Sequence, residues 1–118
     1  MLQQSIYDKL KKLCDDYYTS QIEAQKIVEN FNLSHSDDER NSLYEELNET
    51  NKRIKTYADE FSKEIRCAVD DLCGNTDDSI ADYMKQKVLS PFDVSSDASK
   101  YNRINRLKEL DEYVDTLK

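Results

Sequence analysis

The sequence predicts an all-α protein, an elongated antiparallel helical bundle in which a long hairpin of helices 1 and 2 has two shorter helices packed along it. Three observations predict this class. The length of 118 residues suits one domain, 1–118. The chain has one glycine and one proline, too few for the turns of a β-rich fold. Apolar residues also recur at helical spacing through most of its length.

The first helix is predicted over about 3–32, because its apolar residues form two rows with heptad spacing. One row is Leu10, Tyr17, Ala24 and Phe31, and the other is Ile6, Leu13, Ser20 and Ile27. Beside this seam lie Tyr7, Cys14 and Val28, which widen the apolar face beyond the need of a two-stranded coiled coil. The width predicts that a further helix covers this flank.

The second helix is predicted over 37–73 from a similar apolar stripe. Ser36 and Glu39 form a capping-box pattern at its start, in which a hydroxyl and a carboxylate satisfy unpaired backbone N–H groups. Gly74 follows its last residue and is expected to adopt the left-handed conformation that ends many helices. At 1.5 Å per residue this helix is roughly 55 Å long, so a rod-shaped molecule is expected.

The third helix is predicted over about 78–89. Thr76-Asp77-Asp78 supplies its N-terminal cap, and Pro91 prevents its continuation. Because this helix and the last helix are short, we expect them to act together as the third helical member of the bundle.

The last helix is predicted over about 97–117, again from apolar residues at helical spacing. The linker 90–96 that precedes it contains Phe92 and Val94. These two side chains are expected to attach the linker to the bundle.

The net charge is −8, and residues 36–78 hold thirteen acids against six bases. This acidity opposes non-specific binding to nucleic acid or to an anionic membrane. No apolar run approaches the roughly 20 residues that span a bilayer, and no secretory leader opens the chain. We therefore expect a cytoplasmic protein with reduced thiols, since three cysteines do not form a disulfide framework.

The cysteines and the single histidine, Cys14, His35, Cys67 and Cys73, could nominally form a zinc tetrad. The predicted hairpin places Cys14 opposite Lys55 and separates His35 from Cys67 by on the order of 45 Å. The four residues therefore cannot bind one ion. The cysteines are interpreted as packing residues, and no metal or cofactor is expected.

A catalytic role was tested at His35, which lies between Ser34 and Ser36. Neighbouring residues in a turn rarely converge as a catalytic triad does, and the chain lacks the glycines of an oxyanion-hole loop. The pattern is more typical of a capped helix start with a solvated histidine. No catalytic residue is predicted, and the chain is not expected to be an enzyme.

An apolar surface is predicted at Tyr18 and Ile22, which are four residues apart and lie outside the seam of the first helix. Adjoining exposed apolar residues often mark a partner surface. The alternative is that a shorter helix covers them. The sequence thus favours a non-enzymatic protein-protein interaction module, such as a small subunit, adaptor, chaperone or inhibitor, whose partner is another protein or a second copy.

The acids Glu45, Glu46 and Glu49 of the second helix are predicted to steer and select that partner. In the alternative function they mimic phosphates, and the chain is an acidic inhibitor that competes with nucleic acid for a basic cleft, as some phage-encoded inhibitors do. A solvated helix face with ordinary pairs such as Glu49 with Arg53 is the simpler interpretation. One modest basic stretch, which gives little support for nucleic-acid binding, comprises Lys100, Arg103, Arg106 and Lys108.

Overall fold

The computed structural model describes residues 1–74, 76–90 and 99–118. The described chain is 84% helical with four helices and no strands, which confirms the predicted all-α hairpin with two shorter helices alongside. The helices are α1 (Gln4–Leu33), α2 (Asp37–Cys73), α3 (Ser79–Val88) and α4 (Asn102–Thr116). The molecule measures 64 × 22 × 20 Å, so it is the expected rod.

A short polar turn joins α1 to α2. The Ser36 hydroxyl accepts a hydrogen bond from the backbone N–H of Glu39 at 3.4 Å, which confirms the hydroxyl half of the predicted capping box. The carboxylate half is wrong, because the Ser36 N–H has a different acceptor. The backbone N–H of Ser36 donates to the Ser34 hydroxyl at 3.4 Å, and the Arg40 Nε donates to the Ser34 carbonyl at 3.0 Å. The turn is therefore held by its own polar groups.

Two ion pairs join α1 to α2 across the hairpin. The structure pairs Lys9 with Glu64 at 2.8 Å and Glu23 with Arg53 at 3.1 Å. These pairs are displaced by about one to two helical turns from the expected alignment. Side chains lean toward the N-terminus of their own helix. In an antiparallel pair, side chains of the two helices therefore lean in opposite directions along the hairpin. Two long side chains can meet although their Cα atoms lie at different levels along the helix axis.

The end of α2 at Cys73 agrees with the sequence, but the predicted left-handed conformation of Gly74 is wrong. Gly74 has φ −55° and ψ −27°, in the right-handed region. A Cβ atom at this position would lie 2.8 Å from the backbone carbonyl oxygen of Asp70. Glycine is therefore needed for this close approach and not for a positive φ.

The cap of α3 is confirmed, because the Asp78 carboxylate accepts hydrogen bonds at 3.0 Å from the backbone N–H groups of Ile80 and Ala81. The predicted start of the last helix is wrong within the described chain. Residues 99–101 form a turn, and α4 begins at Asn102. The expectation for Phe92 and Val94 lies outside the described residues.

The shorter helices do not follow one another along the hairpin as a single third member of the bundle. They lie side by side and antiparallel, since the Tyr113 hydroxyl of α4 donates to Asp78 at 3.0 Å, before α3. At the other end of the pair, the Arg103 Nε donates to the Val88 carbonyl at 2.9 Å. Both helices therefore cover the same half of the hairpin.

The core lies under these two helices. Phe61 is fully buried, and the guanidinium of Arg103 lies 5.0 Å from the centre of its ring. Asp111, also buried, accepts hydrogen bonds from the Leu2 N–H at 3.0 Å and the Tyr7 hydroxyl at 2.7 Å. Burial and this carboxylate raise the pKa of Tyr7. These polar groups lock the start of α1 to α4.

Candidate functional site

The two ends of the rod differ in how many helices form them. The four-helix half consists of α3, α4 and residues 1–16 and 57–74 of the hairpin. All members of the shared core cluster in the described chain belong to it. Residues 17–56, here named the distal hairpin, extend beyond it as two helices and their turn. The distal hairpin is the candidate site because nothing in the described chain packs along most of its length.

The seam between the two helices of the distal hairpin is built from small side chains. Ser20, Ala24, Ile27 and Thr50 are buried there, and Ile27 is the one large apolar side chain among these four. The Thr50 hydroxyl donates a hydrogen bond to the Glu46 carbonyl at 2.9 Å. A shallow groove lies on each side of the helix pair.

The first of these grooves has no charged residue in its lining and is here named the neutral groove. Its lining residues are Tyr18, Gln21, Ile22, Ala24, Gln25, Val28, Leu47 and Asn51. The structure thus brings together the two apolar residues singled out in the sequence, Tyr18 and Ile22. Ile22 is 37% exposed. Tyr18 is half-buried, and the Lys100 ammonium lies 5.2 Å from the centre of its ring.

Sequence reasoning did not include Val28 and Leu47 in this surface. A usable signal existed, because Val28 lies on the same flank of α1 as Tyr7 and Cys14. In the four-helix half Tyr7 and Cys14 are buried in the shared core, whereas Val28 is 42% exposed. Among the described residues, the neutral groove is therefore the uncovered continuation of the flank that α4 covers.

The second groove, on the opposite side of the seam, carries charge and is here named the charged groove. Its lining residues are Glu23, Lys26, Ile27, Asn30, Leu43, Glu46, Thr50 and Arg53. The Glu23–Arg53 ion pair spans it at 3.1 Å. Two of its charged residues are thus paired with each other, whereas the lining of the neutral groove is uncharged.

The acids predicted to steer a partner do not share a face with Tyr18 and Ile22. Glu46 lines the charged groove, and Glu45 and Glu49 are exposed. The predicted pair of Glu49 with Arg53 is wrong, since Glu49 pairs with Lys52 at 3.3 Å and Arg53 with Glu23. These acids can supply a long-range field, while the apolar contact lies elsewhere.

The acidity of the chain is concentrated at the turn. Residues 29–49, here named the acidic tip, hold seven acids and one base. This net charge of −6 compares with −8 for the whole chain. Two large apolar side chains are also exposed in the tip, Leu33 at 75% and Tyr44 at 58%. An exposed acidic surface with such residues can attract a basic partner and contact it.

The basic stretch predicted at the start of the last helix contacts the bundle itself. Lys100 forms an ion pair with Asp15 at 3.2 Å, and the buried Arg103 contacts Phe61 and the Val88 carbonyl. Arg106 donates to the Lys87 carbonyl at 3.4 Å. The Lys108 ammonium lies 5.5 Å from the centre of the Tyr7 ring. These contacts are part of how α4 attaches.

The cysteines differ in exposure, and the packing interpretation is wrong for Cys67, which is exposed. Cys14 is buried and Cys73 is half-buried, as packing residues can be. Burial, assisted by the negative charge of Asp15, raises the pKa of Cys14 to about 12, although Arg103 and Lys100 oppose the shift. Within the described chain, no group of histidine, cysteine and acidic residues is arranged to hold a metal ion.

Comparison with known proteins adds no family to these observations. A scan against protein-family models, a search of curated proteins and a search of solved structures each found no match. Each helix in the described ranges is too short or too polar to traverse a bilayer. The functional argument therefore rests on the chemistry of the distal hairpin.

Proposed function

We propose that this chain is a non-enzymatic protein-protein interaction module that docks on a protein partner through the neutral groove. The observation that carries the proposal is the continuity of one hairpin flank. Tyr7 and Cys14 on this flank are buried beneath α4, while Ile22 and Val28 farther along are exposed. An uncharged groove with exposed branched side chains is the surface that another helix can cover at the smallest desolvation cost.

The acidic tip supports a role in approach and selectivity. Its charge of −6 lies beside the groove and not within it, so a partner can meet the field before the apolar contact forms. Charge placed at the edge of an interface mainly changes the association rate and its salt dependence. We propose that the partner presents basic residues to this tip.

The test compares how the full chain and a variant with a changed neutral groove capture protein partners. Ile22→Asp with Val28→Asp places two carboxylates in the neutral groove and is expected to abolish capture. Ile80→Asp with Tyr83→Asp is the matched control, because both residues are exposed on α3 in the four-helix half. Capture that survives the groove change, or is lost equally in the control, would contradict the proposal.

A second candidate function is supported by the charge at the tip. In it the chain is an acidic inhibitor that competes with nucleic acid for a basic cleft. Reversal of Glu45, Glu46 and Glu49 to lysine is then expected to abolish binding, whereas the groove change leaves it intact. Such binding is also lost at high salt. The two functions therefore predict opposite responses to the same pair of variants.

The proposal includes a cytoplasmic location. The three thiols are free in the structure, which suits a reducing compartment. Fractionation of native cells with an antibody against the chain would test this location.

A further inference from the structure

We infer that a second copy of this chain occupies the neutral groove, so that two distal hairpins pack face to face around a two-fold axis and form one four-helix bundle. The inference rests on the proposed function and names the partner for its docking surface. Three properties of the described residues carry it: the length of the open face, the chemistry of its lining and the distribution of charge along the rod.

The open face of the hairpin begins where α4 starts. Beside α1, the Tyr101 hydroxyl donates a hydrogen bond to Asp15, which marks the level at which α4 begins to cover the hairpin. From Asp15 to Leu33, α1 rises about 27 Å. In an antiparallel pair of copies, the distal hairpin of each chain covers the open face of the other. The open face and the segment that covers it therefore have the same length. The tip of each copy then reaches the start of α4 in the other.

The chemistry of the groove suits a copy of itself. Gln21, Gln25 and Asn51 line it together with apolar side chains. Each carboxamide both donates and accepts hydrogen bonds, so a groove of this kind can satisfy an identical groove across a two-fold axis. A lining of carboxylates or ammonium groups would repel its own copy.

The charge along the rod is also self-complementary. The end of α3 and the start of α4, residues 85–90 and 99–106, hold five bases and no acid. This segment, here named the basic ledge, reaches the border of the distal hairpin, where Lys100 contacts Asp15 and the ring of Tyr18. In the two-fold arrangement the acidic tip of each copy meets the basic ledge of the other. Asp15 pairs with Lys100 and Arg103 is buried, so the exposed bases of the ledge that oppose the tip charge of −6 are Lys87 and Arg106.

The size of the face predicts a reversible dimer. A face about 27 Å long and two helices, or about 20 Å, wide buries on the order of 1,100 Å² when both copies are counted, near the lower limit of specific interfaces. Association is therefore expected to depend on concentration in the micromolar range.

The test is sedimentation velocity of the full chain over a wide concentration range. The unmodified chain is expected to shift from monomer to dimer. Gln25→Glu places two carboxylates close to the proposed axis and is expected to weaken dimerisation about tenfold or more. Gln3→Glu is the matched control, since it makes the same amide-to-carboxylate change at an exposed position before α1 in the four-helix half and is expected to leave dimerisation unchanged.

Mixing two variants separates the interface from effects on folding. Gln25→Glu and Gln25→Lys are each expected to be largely monomeric, because like charges face each other across the axis. An equimolar mixture is expected to recover a dimer, because unlike charges then meet. A chain that stays monomeric at all concentrations would overturn the inference. So would a Gln25→Glu variant that dimerises normally, or a mixture that fails to recover.

The failure of this inference can be distinguished from failure of the proposed function. If the chain stays monomeric but Ile22→Asp with Val28→Asp abolishes capture of another protein, the groove is a docking surface and its partner is not a second copy. If the groove changes affect neither self-association nor capture, both proposals are wrong.

Discussion

The four-helix half and the distal hairpin are built from the same two helices, yet one end has a closed core and the other has an open seam. In the closed end Phe61 and Leu10 are fully buried beneath α3 and α4. In the open end the seam is lined by small residues such as Ser20 and Ala24. An amphipathic flank therefore becomes core or exposed surface according to where its covering helix ends.

The largest expected effect is on the stability of the closed end. Phe61→Ala removes a buried ring that contacts Arg103 and is expected to lower the free energy of unfolding by about 3–5 kcal/mol. Leu47→Ala, at a half-buried position of the distal hairpin, is expected to cost about 1 kcal/mol. Urea unfolding followed by circular dichroism compares them. Equal losses would show that both ends contribute alike to stability.

The next effect concerns local opening. Backbone amides of the distal hairpin are expected to exchange with deuterium at least about tenfold faster than amides around Ile65, because fewer buried contacts oppose local unfolding there. Hydrogen exchange of the Gln25→Glu variant shows this for the monomer. At concentrations that favour the dimer, the unmodified chain is expected to gain protection along the neutral groove. Uniform protection at both ends would contradict the contrast.

A smaller effect is expected from acid on the closed end. The Ala81 N–H, the Tyr113 hydroxyl and the Ile80 N–H donate hydrogen bonds to Asp78 and lower its pKa, against the opposing effect of partial burial. Because the folded pKa lies below the unfolded one, the contribution of Asp78 to stability is present at pH 6. It is lost as the pH falls below about 4. Thermal unfolding of Asp78→Asn is expected to vary less with pH over this range.

A pH dependence equal to that of the unmodified chain would show that Asp78 does not carry this effect. Asp15 provides an internal comparison. Hydrogen bonds from Tyr101 and Lys100 lower its pKa despite burial, so its contribution has the same sign and remains in the Asp78→Asn variant.

The smallest effect concerns the thiols of the closed end. The exposed Cys67 is expected to react rapidly with a thiol reagent in the folded chain, and the half-buried Cys73 more slowly. The buried Cys14, with its raised pKa of about 12, is expected to react when the chain unfolds. Cys67→Ser is expected to change stability by less than about 0.5 kcal/mol. Rapid labelling of Cys14 would show that the closed end opens readily.

Much of the fold could be predicted because it depends on local patterns. The bounds of α1, α2 and α3 follow from apolar periodicity and from caps such as Ser36 and Asp78, and the structure places them within about a residue. The conformation of Gly74 could not be predicted, because it depends on the position of the Asp70 carbonyl. The start of α4 was also placed wrongly, since apolar spacing alone does not locate the turn at residues 99–101.

The candidate site was predicted in part. Tyr18 and Ile22 were selected from their position outside the seam, and they do lie in one groove. Val28 is predicted to lie on a covered flank, because a stripe along one helix does not reveal how far a second helix extends. The ion pair of Arg53 with Glu23 was missed for a similar reason, since a partner across the hairpin depends on register.

Helix formation, the polar turn and the acidic composition of the tip are all properties of short segments, and they follow from residue spacing, capping chemistry and charge. The covering of one helix by another does not follow from short segments. Whether Tyr7, Cys14 and Val28 become core or surface depends on where α4 begins and on the antiparallel pairing of α3 with α4. Contacts between segments distant in sequence establish that arrangement. The neutral groove exists because this long-range packing ends halfway along a flank whose apolar pattern continues.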